Sequence, residues 1–296
     1  MQLVGKLYLG VLLLLTMSLV GCGGGGSSSS GSGGGGGSGG IVTRNFTSFD
    51  NLQPDSDYTL SAISIEGDEQ GVGTTSRNST FRLTIDSEDL SNVTIQTPTS
   101  SVSFSTADGD SIFDDPNAPF TFALGNNQDK AAIWADVERL DWDYQTFGSW
   151  ETYQNNNVDT FGSFSAGAPT AGNNIPVSGT ATYSGLTTGL FDGQTGFYVT
   201  KSDLTVNADF GARTLGFSTT NTREYSNNTP NTGLNMLGTL TYSSGSNSFS
   251  GIVNTNNGLS GTADGQFYGP RAEELGGVFY TQGGGEEYIG AFGARQ

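Results

Sequence analysis

Beyond residue 40 the chain alternates. Leu204-Thr205-Val206-Asn207-Ala208-Asp209-Phe210 puts Leu, Val, Ala and Phe on one side and Thr, Asn and Asp on the other. This is the period-two pattern of a strand with one buried face. Leu140-Asp141-Trp142-Asp143-Tyr144 alternates as cleanly, and Phe81 to Ile85 and Phe120 to Leu124 do so in whole or in part. No long amphipathic helix stands out, and Asp129 to Arg139 has room for a short one. In the C-terminal part eight strands are predicted, near residues 177–184, 196–208, 212–220, 234–242, 247–253, 258–267, 276–282 and 287–295. Turn clusters such as Ser226-Asn227-Asn228-Thr229-Pro230 and Ser243-Ser244-Gly245-Ser246 separate them. Short strands at this spacing predict an up-and-down antiparallel barrel, closed so that no edge is exposed. Eight strands leave an interior that side chains fill, and the small residues beside aromatics in Ile289-Gly290-Ala291-Phe292-Gly293-Ala294 suit it.

One run breaks the alternation. Phe267-Tyr268-Gly269-Pro270-Arg271-Ala272-Glu273-Glu274-Leu275-Gly276-Gly277-Val278-Phe279 reads as a strand end, a Gly-Pro turn, one turn of helix, a Gly-Gly stop and a new strand. Pro270 suits a first helical position, where its missing N–H costs nothing. Gly276 suits a left-handed C-terminal cap. On this reading Ala272 and Leu275 pack inward, while Glu273 and Glu274 are solvated or pair locally. The run resembles the signature of the C-terminal β-barrel in the transferrin-binding protein B family of bacterial surface lipoproteins. Pro176 to Gly185 looks like the first strand of that barrel, and Gly261 to Gln266 and Gly290 to Arg295 are also similar. Tyr144 to Trp150 looks like the strand that precedes the barrel in single-lobe relatives. The resemblance implies an all-β chain, with a smaller handle-like β domain at residues 41–172 and the barrel at 173–296. It also implies a non-enzymatic role: capture of a host or environmental protein, or of an iron- or haem-bearing ligand, and transfer to a neighbouring outer-membrane receptor. A structural or adhesive envelope lipoprotein without cargo is the alternative.

The N-terminus changes the expected location. Lys6 precedes an apolar segment from Leu7 to Val20, and Leu19-Val20-Gly21-Cys22 matches a bacterial lipobox. Residues 1–21 therefore read as a signal peptide and Cys22 as the lipidation site, anchoring the chain in outer-membrane lipid. Each buried methylene of such an anchor contributes about 0.8 kcal/mol. Gly23, rather than an aspartate, is compatible with outer-membrane sorting and display at the cell surface. Residues 23–40 are all Gly or Ser, a flexible tether with a typical span of roughly 25 Å.

Composition then removes whole classes of chemistry. The chain has no histidine and one cysteine. Ser-His-Asp and Cys-His catalysis, histidine-ligated metals and proximal-histidine haem are excluded. With Cys22 committed to lipid, zinc and iron–sulfur sites lose their ligands, and no cofactor is expected. The formal charge of −18 disfavours nucleic acid, whose phosphates need clustered Lys and Arg, and allows a basic partner.

Few side chains remain as candidates. Arg223 and Tyr225, in a loop from Asn221 to Asn228, are the expected ligand contacts, since loops on rigid barrels carry recognition. Asp108, Asp110 and Asp114 form a weak calcium candidate that lacks the EF-hand spacing. Trp134, Trp142, Tyr144, Phe147, Trp150 and Tyr153 are expected in the core or in the seam between two β domains. Glu273 and Glu274 are adjacent, and so do not converge on a substrate as a glycosidase pair must.

Overall fold

The computed structural model describes residues 40–155, 157–194 and 196–296. Residues 1–39, which include the expected signal peptide, the expected lipidation site Cys22 and most of the Gly/Ser segment, lie outside the described residues. Within them the chain is nearly all β, and no helix is long and apolar enough to cross a membrane.

The first sheet is built from β1 (Val42–Asn45), β2 (Ser56–Asp68), β3 (Gly71–Val72), β4 (Ser76–Asp86), β5 (Asp89–Gln96), β6 (Ser101–Ser105), β7 (Ser111–Asp114), β8 (Phe120–Leu124), β9 (Lys130–Ala135), β10 (Gln145–Gln154) and β11 (Asn157–Gly167). Its main path runs β6-β5-β4-β2-β11-β10-β9-β8-β7, with β1 and β3 beside β2. The path curls until its two ends lie near each other. Lys130 bonds the Ser103 carbonyl, and Asp110 accepts the Ser105 N–H at 3.0 Å. No ladder joins β6 to β7, so the sheet is barrel-like but not closed. Its concave side holds Tyr58, Leu60, Phe81, Leu83, Val93, Ile95, Phe104, Trp134, Trp150 and Phe164, with Phe81 and Phe164 stacked at 5.0 Å. This sheet has eleven strands, several of them only two to five residues long, against eight longer ones in the barrel.

The second unit is the closed antiparallel barrel. It consists of β12 (Thr180–Gly193), β13 (Gly196–Asp209), β14 (Thr214–Glu224), β15 (Met236–Tyr242), β16 (Ser248–Thr255), β17 (Ser260–Tyr268), β18 (Glu274–Gly283) and β19 (Glu286–Arg295), with β19 pairing back onto β12. Leu204, Val206, Ala208 and Phe210 all face inward and are buried, while Asn207 and Asp209 are exposed. The interior is filled by aromatic rings with glycines opposite them. A Cβ on Gly290 would sit 2.3 Å from the Phe279 ring, a distance that no side chain tolerates in a close-packed core.

Four local expectations are corrected. The first barrel strand runs on to Gly193, because Leu190 and Phe191 continue its alternation onto two different buried faces. The segment from Asp129 to Arg139 is a strand, β9, followed by one turn of helix, α1 (Val137–Leu140), because β9 pairs on both sides with β8 and β10. Leu140 to Tyr144 is the end of α1 and a turn rather than a strand, with Asp141 left-handed at φ 56°. The signature run contains no helix: Ala272 is left-handed at φ 64° and β18 begins at Glu274. Gly276 and Gly277 therefore lie within a strand and do not cap a helix.

Candidate functional site

The first sheet and the barrel share a buried seam, and strand alternation explains its composition. In β10 and β11, Gln145, Phe147, Ser149 and Glu151 pair with or lie beside Phe161, Ser163 and Ser165 on the convex face. On the barrel wall, Gly276, Val278, Ala291 and Gly293 point outward to meet them. Ile63, Ile65, Ile133, Phe147, Phe161, Leu190, Val278 and Ile289 form one apolar cluster across the junction. A Cβ on Gly276 would lie 2.4 Å from Gln145 Oε1, and one on Gly293 would lie 2.3 Å from Gln145 Nε2. The missing side chains let a main-chain wall approach another sheet directly.

The signature run holds this seam together. Phe267 points into the barrel against Phe249, Tyr242 and Tyr183, while Tyr268 points out and bonds Ser165 at 2.9 Å. The linker binds the same segment: Thr170 N–H donates to the Phe267 carbonyl, Gly269 N–H to the Ala168 carbonyl, and the Thr170 hydroxyl to the Gly269 carbonyl at 2.7 Å. Gly269 adopts φ 87° to make that bend, and Pro270 follows it in the exposed turn. Ala272 and Leu275 plug the barrel end as expected, and the Ala272 carbonyl accepts the Tyr183 hydroxyl at 2.6 Å.

Glu274 overturns its expected solvated role. It is fully buried and accepts the main-chain N–H groups of Asp143 at 2.7 Å and Tyr144 at 3.1 Å. Burial pushes its carboxyl up to about 7, against the pull of those N–H groups. Glu151 is also buried in the seam. One of its oxygens accepts from the Tyr153 hydroxyl and the other has no hydrogen-bond partner, and burial likewise raises it to about 7. Strand alternation carried the signal for both residues: each is an acid on a face whose neighbours in the strand are apolar or small.

At one end of the seam a loop of each unit meets the other. Tyr225 is 7% exposed, so it does not project freely as a ligand contact. Its ring packs edge-on against Phe120 and Phe122, its hydroxyl donates to Asp115, and the Lys201 ammonium lies 4.7 Å from its centroid. Burial and the Asp115 carboxylate hold the Tyr225 phenol well above its ordinary range. Burial, then the neighbouring Arg223, lowers Lys201. Arg223 stays at the rim, with Nε donating to the Asn221 carbonyl at 3.1 Å. Across from it, Arg139 gathers the carbonyls of Asp115, Pro116 and Ala118 and so sets the β7–β8 turn. Asn117, Ser226, Asn227, Asn228 and Thr229 form an exposed polar surface around this buried aromatic joint. The arrangement suits recognition: adaptable polar tips stand on a rigid base. Sequence reasoning placed Arg223 and Tyr225 in one loop, whereas Arg223 lies in β14 and only Tyr225 in the loop; it missed Asp115 of the β7–β8 turn, Arg139 of α1 and Lys201 of β13.

The three calcium candidates do not converge. Asp110 is buried and paired with Lys130 at 2.9 Å, Asp114 accepts from the Thr121 hydroxyl, and Asp108 lends its main-chain carbonyl to Asn126. No group of three metal-ligating side chains occurs among the described residues.

No curated protein sequence matches this chain. A family model for the C-lobe and N-lobe beta barrels of Tf-binding protein B matches residues 175–296. Among solved structures, a tryptophan-to-alanine mutant of the vaccine antigen transferrin binding protein B from Haemophilus parasuis is similar with a TM-score of 0.51 at 17% identity. The match covers 80% of this chain and 45% of that one. Isotype 1 transferrin binding protein B from serogroup B Neisseria meningitidis gives 0.50 at 20% identity, over 80% of this chain and 43% of that one. The chain thus spans less than half the length of either protein, and what it shares with them is architecture. A curled β-sheet docked on a closed eight-stranded barrel, carrying the signature run at their junction, gives this chain the fold of a transferrin-binding-protein-B-like lobe.

Proposed function

We propose that this protein is a lipid-anchored, non-enzymatic binding protein of the outer-membrane surface, which captures a protein or an iron- or haem-bearing ligand for a neighbouring receptor. The observation that carries the reading is the composite end of the seam, where the β7–β8 turn and the 224–235 loop are fixed side by side and leave polar tips exposed. Arg223, half-buried at the end of β14, is a cation at the rim of that surface, and Tyr225 fixes the loop that follows it. The lipobox at Cys22 and the Gly/Ser segment support anchoring and reach, and the match of the barrel to transferrin-binding-protein-B barrels supports capture. Binding energy in such an interface concentrates in a few anchors rather than in total area.

The test is affinity capture with residues 40–296 immobilised, from serum and from haem-protein mixtures. One saturable partner is expected, weakened at least tenfold by Arg223→Ala. Recovery of no saturable partner from either source overturns the reading. In cells, Cys22→Ser is expected to abolish labelling by a palmitate analogue and release the protein from membranes. An unchanged membrane fraction overturns the anchor.

A further inference from the structure

The curled first sheet stops short of closure, and the place where it stops is built like a receptor for a strand. β7 ends the sheet path and pairs only with β8. Asp115 N–H donates to the Phe120 carbonyl, which fixes the phase of the ladder. In an antiparallel pair the bonded residues alternate, so the main-chain groups of Ile112 and Asp114 point away from β8. Beside this free edge lies an open cleft of about 680 Å³, lined by Leu90, Ile112 and Phe113 with Asp86, Asp89 and Asp114. Phe113 is 42% exposed and stacks on Phe122 at 5.8 Å. None of the residues lining the cleft is basic, and the nearby cation Lys130 is already paired with Asp110.

We infer that the free β7 edge and its acidic cleft bind an extended, basic segment of a partner protein, which adds a strand beside β7. The main-chain groups of Ile112 and Asp114 supply the ladder bonds, as edge strands do when they recruit another chain. Leu90 and Ile112 take the partner's apolar side chains on one face. Asp86, Asp89 and Asp114 select Arg or Lys, and the short edge limits the added strand to about four residues. Charge complementarity decides the occupant: an acidic or neutral strand meets three carboxylates with no compensating cation. The inference rests on the capture reading and gives the chemistry of one recognised element.

The probe is a fluorescent hexapeptide alternating arginine and valine, measured by anisotropy at low and at 0.5 M salt against residues 40–296. The expected result is binding at least tenfold tighter than for a glutamate-valine twin. Affinity should fall at least tenfold in Asp86→Lys/Asp89→Lys, and as much for a peptide N-methylated at alternate residues, which leaves the protein untouched. The milder Asp86→Asn/Asp89→Asn, at exposed positions, should show a smaller loss with an unchanged melting curve. Equal binding of the acidic twin, or no loss on N-methylation, overturns the inference. If a partner is captured but the peptide does not bind, this inference falls and the capture reading stands.

Discussion

Glu151 shows how a single carboxyl couples the seam to pH. Its folded value is raised to about 7 from an ordinary 4.5 by burial, so the folded state holds the proton more tightly than the unfolded state does. The stability it contributes is complete below about pH 4.5 and is lost as pH rises through about 7. A shift of that size corresponds to up to about 3 kcal/mol between the two limits. Melting curves of Glu151→Gln are expected to be flat in this component from pH 5 to 8 and to exceed the parent at pH 8. A parent-like pH slope in the variant would remove Glu151 as its source. Glu274 behaves differently under truncation, because its oxygens hold two main-chain N–H groups. Glu274→Ala leaves those donors buried and unpaired, and the expected loss is about 2–4 kcal/mol.

At the scale of elements, β18 and β19 each serve two interiors. Leu275, Phe279, Tyr288 and Phe292 fill the barrel, while Val278, Ile289 and Ala291 belong to the seam. A side chain added on the outer face should therefore separate the units without opening the barrel. Gly276→Val and Gly293→Val are expected to split thermal unfolding into two transitions, with overpacking costing about 1–3 kcal/mol at the seam. A single unchanged transition would show that the seam does not couple the units. Tyr225→Phe keeps the aromatic joint and deletes the bond to Asp115. Faster amide exchange confined to residues 114–120 and 224–235 is the expected outcome.

The same double duty marks what could be read from the sequence. Strand alternation located all eight barrel strands, because one face of each is buried whatever surrounds it, and residues 204–210 show this most clearly. The run from Phe267 to Phe279 was recognisable, yet its local form was misread. Pro270 and the good helix formers Ala272 to Leu275 favour a helical turn, but pairing of Glu274 with Arg295 and of Leu275 with Ala294 holds the chain extended. Leu140 to Tyr144 misled for a related reason. Alternation there serves a turn whose Trp142 enters the seam while the Asp143 N–H seeks Glu274. Arg223 and Tyr225 were nominated together because they are sequence neighbours. Their separation into a rim cation and a buried joint depends on Asp115 and Phe120, contributed by a unit about a hundred residues away.

For the whole molecule, a formal charge of −18 sets how partners arrive. Opposite charge steers encounter and is screened beyond about 8 Å at physiological salt. Capture of a basic partner is expected to lose most of its association rate, and less of its residence time, between 50 and 500 mM salt, as read by surface plasmon resonance.

The pairing of Ser184 with Arg295 that shuts the barrel also sets which part of the fold depends on the longest-range contact. It joins positions more than a hundred residues apart, and β19 then supplies Ile289 and Ala291 to the seam as well. Contacts of such high sequence separation form slowly, because the intervening loop must be closed before they are gained. Until β19 has emerged, neither the barrel nor its joint with the first sheet can be completed. The first sheet, whose concave core is made only of residues from its own strands, can close that core without β19, whereas the barrel and the joint cannot.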